Sequence, residues 1–133
     1  MLKIEHIGIA VADMEQAVKT YEQLLQTPCY KKEQVASEGV ETAFFQLADS
    51  KIELLEAMHD ESPIAKFILK KGEGIHHIAF EVEDIVAEMK RLSALGYQVL
   101  NEVPKKGADN KLVCFLHPKS AHGVLVELCQ EIK

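Results

Sequence analysis

Four side chains that can bind a metal ion recur in the same order in the two halves of this sequence. The first half carries His6 and Glu53, and the second carries His77 and Glu127. Two neutral imidazoles and two carboxylates form a mixed nitrogen and oxygen ligand set, which suits one divalent first-row ion such as Co, Mn, Ni, Fe or Zn. Because this set leaves coordination positions for water or substrate, it predicts Lewis-acid chemistry, whereas structural zinc sites are usually closed and rich in cysteine.

The recurrence of these residues is what favours a shared metal site. A single histidine beside a strand is more often hydrogen-bonded than metal-bound, and a single glutamate in an apolar strand can simply face solvent. Here both residue types return in register within a duplication, so we expect all four to bind one ion. Glu5 and His76 precede the two histidines but have the opposite strand parity, and we expect structural roles for them.

Each half must therefore contain strands that position its histidine and its glutamate. The pattern of apolar residues, caps and glycines predicts the order β-α-β-β-β in both halves. Asp13 and Asp84 are predicted helix N-caps, and Ser62-Pro63 is predicted to begin a connecting helix that ends before Gly72. The predicted later strands cover about 29–36, 41–48 and 51–57 in the first half and 97–103, 111–117 and 122–130 in the second, with a long loop from Pro104 to Asn110.

Strand parity predicts which way the ligands point. Alternate residues of a strand face opposite sides of a sheet, so Ile7 and Ile9 face one side while His6 faces the other. Ile78 is opposed to His77 in the same way. We expect the apolar rows to pack on the helices and the four ligands to face away from them. The predicted fold class is α+β, with two tandem βαβββ modules forming an open eight-stranded mixed sheet curled around the metal site.

Length and composition indicate one compact domain, residues 1–133, with module one at about 1–58, the connecting helix at about 62–71 and module two at about 75–133. The net charge is −6 without a basic stripe, so we expect no nucleic-acid partner. No apolar stretch is long enough to span a membrane and no signal pattern begins the chain, which predicts no membrane partner and a cytoplasmic location. The three cysteines are too few and too scattered for a disulfide framework.

The paired modules, with histidine, glutamate, histidine and glutamate in this order, resemble the vicinal oxygen chelate superfamily, which includes glyoxalase I and extradiol dioxygenases. Three stretches are similar to the methylmalonyl-CoA epimerase family in particular. These stretches are Glu5–Val11, then Asp60–Phe67 running into Gly72–Ile78, and finally Phe115–Ser120 with Gly123–Leu128. The first is common to the superfamily and the other two are more specific, and together the resemblance covers essentially the whole chain.

The resemblance implies metal ligands at His6, Glu53, His77 and Glu127, with Glu53 at a position where some family members have glutamine. It implies an isomerase that interconverts the two epimers of methylmalonyl-CoA. The α-proton would be removed and returned through a metal-stabilised enediolate, and the partner would be an acyl-CoA substrate. Glu127 is the first candidate for the catalytic base.

Inversion of the α-carbon calls for a second acid/base group on the opposite face of the substrate, and this group stays unassigned. The glutamate that has this role in some epimerases aligns with Thr42. Glu41 would need a one-residue shift, which would turn it to the other face of its strand. Glu81 faces inward by parity and is an open possibility.

Two alternatives to an acyl-CoA epimerase fit the same ligands. One is a glyoxalase I-like lyase or isomerase of a thiol conjugate, and the other is a non-catalytic small-molecule binding protein of the same superfamily. A dioxygenase is disfavoured, because a fourth ligand would block a position that oxygen chemistry leaves open. Lys119 and the pair Lys105 and Lys106 are candidates to contact CoA phosphates, and a homodimer is expected from the resemblance and from exposed strand edges.

Overall fold

The computed structural model describes all residues from Met1 to Lys133. The first module contains, in chain order, β1 (Lys3–Ala10), α1 (Met14–Leu25), β2 (Lys31–Val35), β3 (Val40–Leu47) and β4 (Ser50–Ala57). After the connecting helix α2 (Pro63–Lys71), the second module contains β5 (Gly74–Glu81), α3 (Ile85–Ala94), β6 (Lys105–Lys106), β7 (Lys111–Leu116) and β8 (Val126–Glu131). Both modules therefore have the predicted order β-α-β-β-β.

All eight strands belong to one mixed sheet, in the order β2-β3-β4-β1-β5-β8-β7-β6. The strands β2, β3 and β4 are antiparallel neighbours, and so are β6, β7 and β8. By contrast, β5 and β8 run parallel. A mixed eight-stranded sheet accompanied by three helices confirms the predicted α+β class.

The three helices begin at the predicted caps. The carboxylates of Asp13 and Asp84 accept hydrogen bonds from the backbone N–H three residues later, at 3.1 and 3.0 Å, and the hydroxyl of Ser62 does the same at 3.1 Å. These acceptors satisfy donors that the first helical turn leaves unpaired. None of the helices has the length and apolar character that a membrane crossing needs. The cytoplasmic location and the homodimer stay predictions.

The chain divides into two compact units, one made of Met1–His6 with His77–Lys133 and the other of Ile7–His76. In the unit Ile7–His76, α1 packs on one face of the strands. The buried residues of this face are Val11, Met14, Val18, Ala43, Phe45 and Leu54. On the other face α2 contributes Ile64, and the buried group there is Ala10, Val40, Leu55 and Ile64.

In the other unit, helix α3 covers one face of the strands β5, β7 and β8. The buried residues of this core are Val82, Ile85, Met89, Leu92, Cys114, Leu116, Val126 and Leu128. Because Val126 and Leu128 both face α3, Glu127 between them faces the opposite side of the sheet. The alternation of apolar and ligand-type residues in β8 therefore places Glu127 as parity predicts.

The predicted strand at 97–103 is wrong. Within this segment only Val99 makes a β-bridge, to Leu116. The side chain of Asn101 accepts a hydrogen bond from Phe115 N at 2.9 Å, so a side chain takes the place that a backbone carbonyl would have in a ladder. The sixth strand is Lys105–Lys106 instead, inside the segment predicted as a loop from Pro104 to Asn110.

The predicted start of the last strand at residue 122 is also wrong, since β8 begins at Val126. His122 and Gly123 have φ angles of 56° and 94°, which a β-strand does not accommodate. Pro118–Ala121 forms a short 3₁₀ turn before them. The chain therefore completes a tight turn before it enters β8.

Candidate metal centre

The strands β5, β7 and β8 place Glu127 and His77 on one face of the sheet. Glu127 lies in register with Ala79 on β5 and with Phe115 on β7. Residues at matched positions of neighbouring strands share a face, and His77, two residues before Ala79, points to the same side. Ala79 is fully buried and small, so it leaves space beside the two larger side chains.

Three ligand atoms converge at this face. His6 Nε2 lies 3.0 Å from His77 Nε2 and 3.4 Å from Glu127 Oε1. His77 Nε2 lies 3.0 Å from the same Glu127 oxygen. All three residues are buried, with exposed fractions of 5%, 4% and 6% for His6, His77 and Glu127. The structure therefore brings together three of the four predicted ligands.

The spacing of these atoms fits a single first-row ion. Ligand atoms about 2.1 Å from an ion lie about 3.0 Å apart at a right angle and about 3.4 Å apart at the tetrahedral angle. The three separations, 3.0, 3.0 and 3.4 Å, fall in this range. His6, His77 and Glu127 can thus hold a metal ion without a change in their separations.

Glu5 contacts the ring nitrogen of His6 that faces away from this group, a role that the sequence pattern did not predict. Its Oε1 lies 2.9 Å from His6 Nδ1, and the residue is only 2% exposed. A neutral His6 that donates from Nδ1 to Glu5 keeps the lone pair of Nε2 directed at His77 and Glu127. Carboxylates commonly fix metal-binding histidines in this way. Strand parity assigned Glu5 to the other face, and its place directly before a predicted ligand was the only available signal.

The carboxylate of Glu127 is held in its ionised form. Burial alone would raise its pKa, but in the metal-free protein His6 and His77 can be protonated, and their hydrogen bonds and charges then lower the pKa to about 2. A buried carboxylate that stays ionised is suited to binding a cation.

Glu53 lies on β4 in the other unit, Ile7–His76. It is 4% exposed and stands in register with Phe44 of β3. Its neighbours Ile52 and Leu54 pack on the α1 side, so Glu53 faces away from that helix. Burial and parity are those expected of a ligand, and the assignment of Glu53 as the fourth ligand stays a prediction.

The positions considered for a second acid/base group differ in orientation. Thr42 is 1% exposed, shares the face of Phe44, and donates its hydroxyl to the carbonyl of Glu33 at 3.2 Å. Glu41 lies on the opposite face of β3 from Thr42. Glu81 is half-buried in register with Cys129 of β8. The structure therefore shows a hydroxyl and no carboxylate at position 42, and the second group stays unassigned.

Comparison with known proteins gives this site a family context. The family model described as the glyoxalase/bleomycin resistance protein/dioxygenase superfamily matches residues 5–115. The chain is 44% identical to an ethylmalonyl-CoA/methylmalonyl-CoA epimerase of Cereibacter sphaeroides over 96% of this chain and 97% of that protein. It is 40% identical to the mitochondrial methylmalonyl-CoA epimerase of Homo sapiens over 96% of this chain and 73% of that protein.

Solved structures agree with these relatives. A variant of the Streptomyces coelicolor methylmalonyl-CoA epimerase in complex with 2-nitronate-propionyl-CoA superposes with a TM-score of 0.95 at 34% identity. The match covers 100% of this chain and 99% of that chain. This chain therefore belongs to the glyoxalase/bleomycin resistance protein/dioxygenase superfamily and, within it, to the methylmalonyl-CoA epimerase family.

Proposed function

We propose that this protein is an isomerase that interconverts the epimers of methylmalonyl-CoA, with His6, His77 and Glu127 holding a divalent first-row ion. The observation that carries the proposal is the convergence of two imidazole nitrogens and one carboxylate oxygen at 3.0 to 3.4 Å in a chain of the epimerase family. Buried Glu53 is the proposed fourth ligand. When bound, the ion would supply a Lewis acid for the negative charge that develops on the substrate oxygens.

Glu127 is the proposed catalytic base. Its carboxylate is ionised at neutral pH, as a general base must be. Removal of the α-proton breaks a C–H bond whose electron pair moves into the thioester carbonyl, which gives an enediolate. Return of a proton to the opposite face of the same carbon produces the other epimer. The reaction is redox-neutral and needs no further reactant. The α-carbon of the substrate lies between a thioester and a carboxylate, which makes its proton acidic.

The relatives support this substrate class. The Cereibacter sphaeroides relative is named as an epimerase of ethylmalonyl-CoA and methylmalonyl-CoA, and the Streptomyces coelicolor protein was solved with an acyl-CoA analogue. Both match nearly the whole length of this chain. An acyl-CoA with an acidic α-proton is therefore the substrate that we propose.

The test follows deuterium by NMR during incubation of methylmalonyl-CoA with the metal-reconstituted protein in deuterated water. We expect deuterium at the α-carbon together with conversion of one epimer to the other. Glu127→Gln should abolish both signals, because the amide cannot accept the proton. Glu131→Gln is the matched control, since it removes the same charge from an exposed position of the same strand.

Absence of exchange with each of Mn, Fe, Co, Ni and Zn would refute the epimerase. Conversion of the glutathione adduct of methylglyoxal by the same preparations would then support the glyoxalase-like alternative. Tight binding of an acyl-CoA without exchange would support the non-catalytic binding protein. Equal activity of the Glu127→Gln and Glu131→Gln variants would remove Glu127 from the role of base while leaving the reaction itself in place.

A further inference from the structure

Phe115 is a large apolar side chain that no hydrophobic core of the chain takes up. It lies on β7 between Cys114 and Leu116, which are buried against α3, so its ring projects from the opposite face of the sheet. The residue is half-buried and belongs to none of the buried clusters. A half-exposed aromatic ring on the face that carries Glu127 can contact a ligand there.

The ring stands beside two side chains of the metal centre. Phe115 is in register with Glu127 on the neighbouring strand, and residues paired in this way have Cβ atoms about 4.5 to 5.5 Å apart. The centroid of its ring lies 6.1 Å from that of His77, with the two ring planes at 86° to 88° to an edge-to-face contact, 88° for this pair. Aromatic rings attract each other in this geometry, so His77 helps to hold the Phe115 ring in place.

The backbone of Phe115 is held from both sides. Its N–H donates to the side-chain oxygen of Asn101 at 2.9 Å, and its carbonyl accepts from the N–H of Leu100 at 2.8 Å. On the other side, β7 pairs with β8. Added volume against a side chain that is fixed in this way forces strained rotamers or backbone shifts. The ring is therefore a firm boundary for whatever binds next to Glu127.

We propose that Phe115 limits the size of the alkyl group on the α-carbon of the substrate. This proposal rests on the proposed function, because it takes Glu127 as the group that removes the α-proton. Proton transfer requires the α-carbon to approach the Glu127 carboxylate to about 3 to 3.5 Å, which brings this carbon next to the ring. The α-carbon carries a thioester, a carboxylate and an alkyl group, and only the alkyl group matches an apolar ring. A methyl group needs little room there, whereas a longer chain must displace the ring or move away from the base.

The test compares methylmalonyl-CoA with butylmalonyl-CoA, whose α-carbon carries a longer alkyl chain. Values of kcat/KM are measured from deuterium incorporation at the α-carbon by the metal-reconstituted protein. We expect the unmodified protein to prefer methylmalonyl-CoA by at least about tenfold, and Phe115→Ala to reduce this preference by about tenfold or more. Phe115→Leu should reduce it less, and this variant keeps the test available if Phe115→Ala does not fold. Phe80→Ala is the matched control, because it removes the same ring from the face that packs on α3 and should leave the preference unchanged.

The affinity for Co²⁺, measured by competition with a chelator, separates this role from a positioning role. Phe115 offers no ligand atom, so Phe115→Ala should retain the Co²⁺ affinity within about twofold of the unmodified protein. A loss of about tenfold or more, together with an equal fall in kcat/KM for both thioesters, would show that the ring positions His77 instead. That result would overturn the proposal.

Three other results would also overturn it. The unmodified protein could use both thioesters equally well, so that there would be no limit to explain. The preference could stay unchanged in both Phe115 variants, which would show that the ring does not face the alkyl group. Phe80→Ala could reduce the preference as much as Phe115→Ala does, which would indicate a general loosening of the sheet. In each case exchange into methylmalonyl-CoA by the unmodified protein leaves the proposed function standing, whereas absence of exchange into both thioesters would refute that function itself.

Discussion

Replacement of Glu5 is expected to weaken metal binding although Glu5 is not itself a proposed ligand. Its carboxylate lies 2.9 Å from His6 Nδ1 and is almost fully buried. Without it, the imidazole loses the acceptor that fixes its tautomer and ring orientation, and Nε2 no longer points steadily at the position between His77 and Glu127. A hydrogen bond to a charged group contributes about 1.5 to 3 kcal/mol, and loss of such a supporting carboxylate typically costs about 10- to 100-fold in metal affinity.

The measurement is a competition between the protein and a chromogenic chelator for Co²⁺ or Zn²⁺ at neutral pH. We expect Glu5→Ala to bind about 10- to 100-fold more weakly than the unmodified protein. Glu5→Gln keeps an oxygen acceptor without the charge, so its loss should be intermediate, at about fivefold. Glu83→Gln removes the same charge from an exposed position of the same unit and should have no effect.

Glu5 is expected to act on the orientation of His6 and not on packing alone, so thermal unfolding of the metal-free variants is measured in parallel. Glu5→Ala with unchanged metal affinity and lower stability would refute the claim, because Glu5 would then serve packing alone. Equal losses in Glu5→Ala and Glu5→Gln would show that charge, rather than the hydrogen bond, is what His6 requires. Neither variant changes one of the three proposed ligands, so the ligands themselves are tested separately by variants of His77 and Glu127.

Three further predictions concern the rest of the fold. Leu128→Ala, at a fully buried position, should lower the free energy of unfolding in urea by about 2 to 5 kcal/mol, whereas Leu69→Ala, at a position that is 90% exposed, should change it little. Gly39→Ala should cost about 1 to 3 kcal/mol in thermal unfolding, because φ is +63° and the added Cβ would lie 2.7 Å from a neighbouring side-chain nitrogen, and an unchanged melting temperature would contradict this. Burial raises the pKa of Cys114 to about 11 and that of Cys129 to about 12. A thiol reagent at mildly alkaline pH should therefore label only Cys29, which is not fully buried, in the native protein. Equal labelling of all three thiols would contradict this expectation. Because unfolded thiols ionise near pH 8.5, the contribution of these two buried thiols to the free energy of unfolding should be fully present below about pH 8.5 and should fall as the pH rises toward 12.

The duplicated pattern predicted the central part of the site because β-strand periodicity is a strict constraint. Glu127 lies between Val126 and Leu128, whose burial against α3 is strongly favoured, so its direction follows from that of its neighbours. His77 has the opposite parity to Phe80, which packs against the same core. The contact of Glu5 with His6 could not be predicted in this way, because the Glu5 side chain bends toward its neighbour and its position does not follow from strand parity. Side-chain reach of this kind has no signature in sequence periodicity.

The least predictable segment was the one between α3 and β7. Leu100 and Val103 are exposed, at 48% and 70%, so the β-branched and apolar composition that suggested a strand does not reflect a buried face. Two backbone hydrogen bonds, from Leu100 N to Phe115 O and from His117 N to Gln98 O, and the side chain of Asn101 join this segment to β7 and the residue after it.

Strand β1 has a consequence for the order of events during synthesis. Its first residues, including His6, belong to the same compact unit as His77–Lys133, while the residues from Ile7 onward belong to the unit that ends at His76. The contact between the two imidazoles spans 71 positions of the chain, and such long-range contacts are formed late because closing the loop is entropically costly. A nascent chain that has emerged only as far as α2 therefore contains most of the unit Ile7–His76, but its His6 still lacks His77 and Glu127. Under the proposed function, binding of an ion by His6, His77 and Glu127 would require that β8 has left the ribosome, so a prematurely terminated chain would bind the metal poorly.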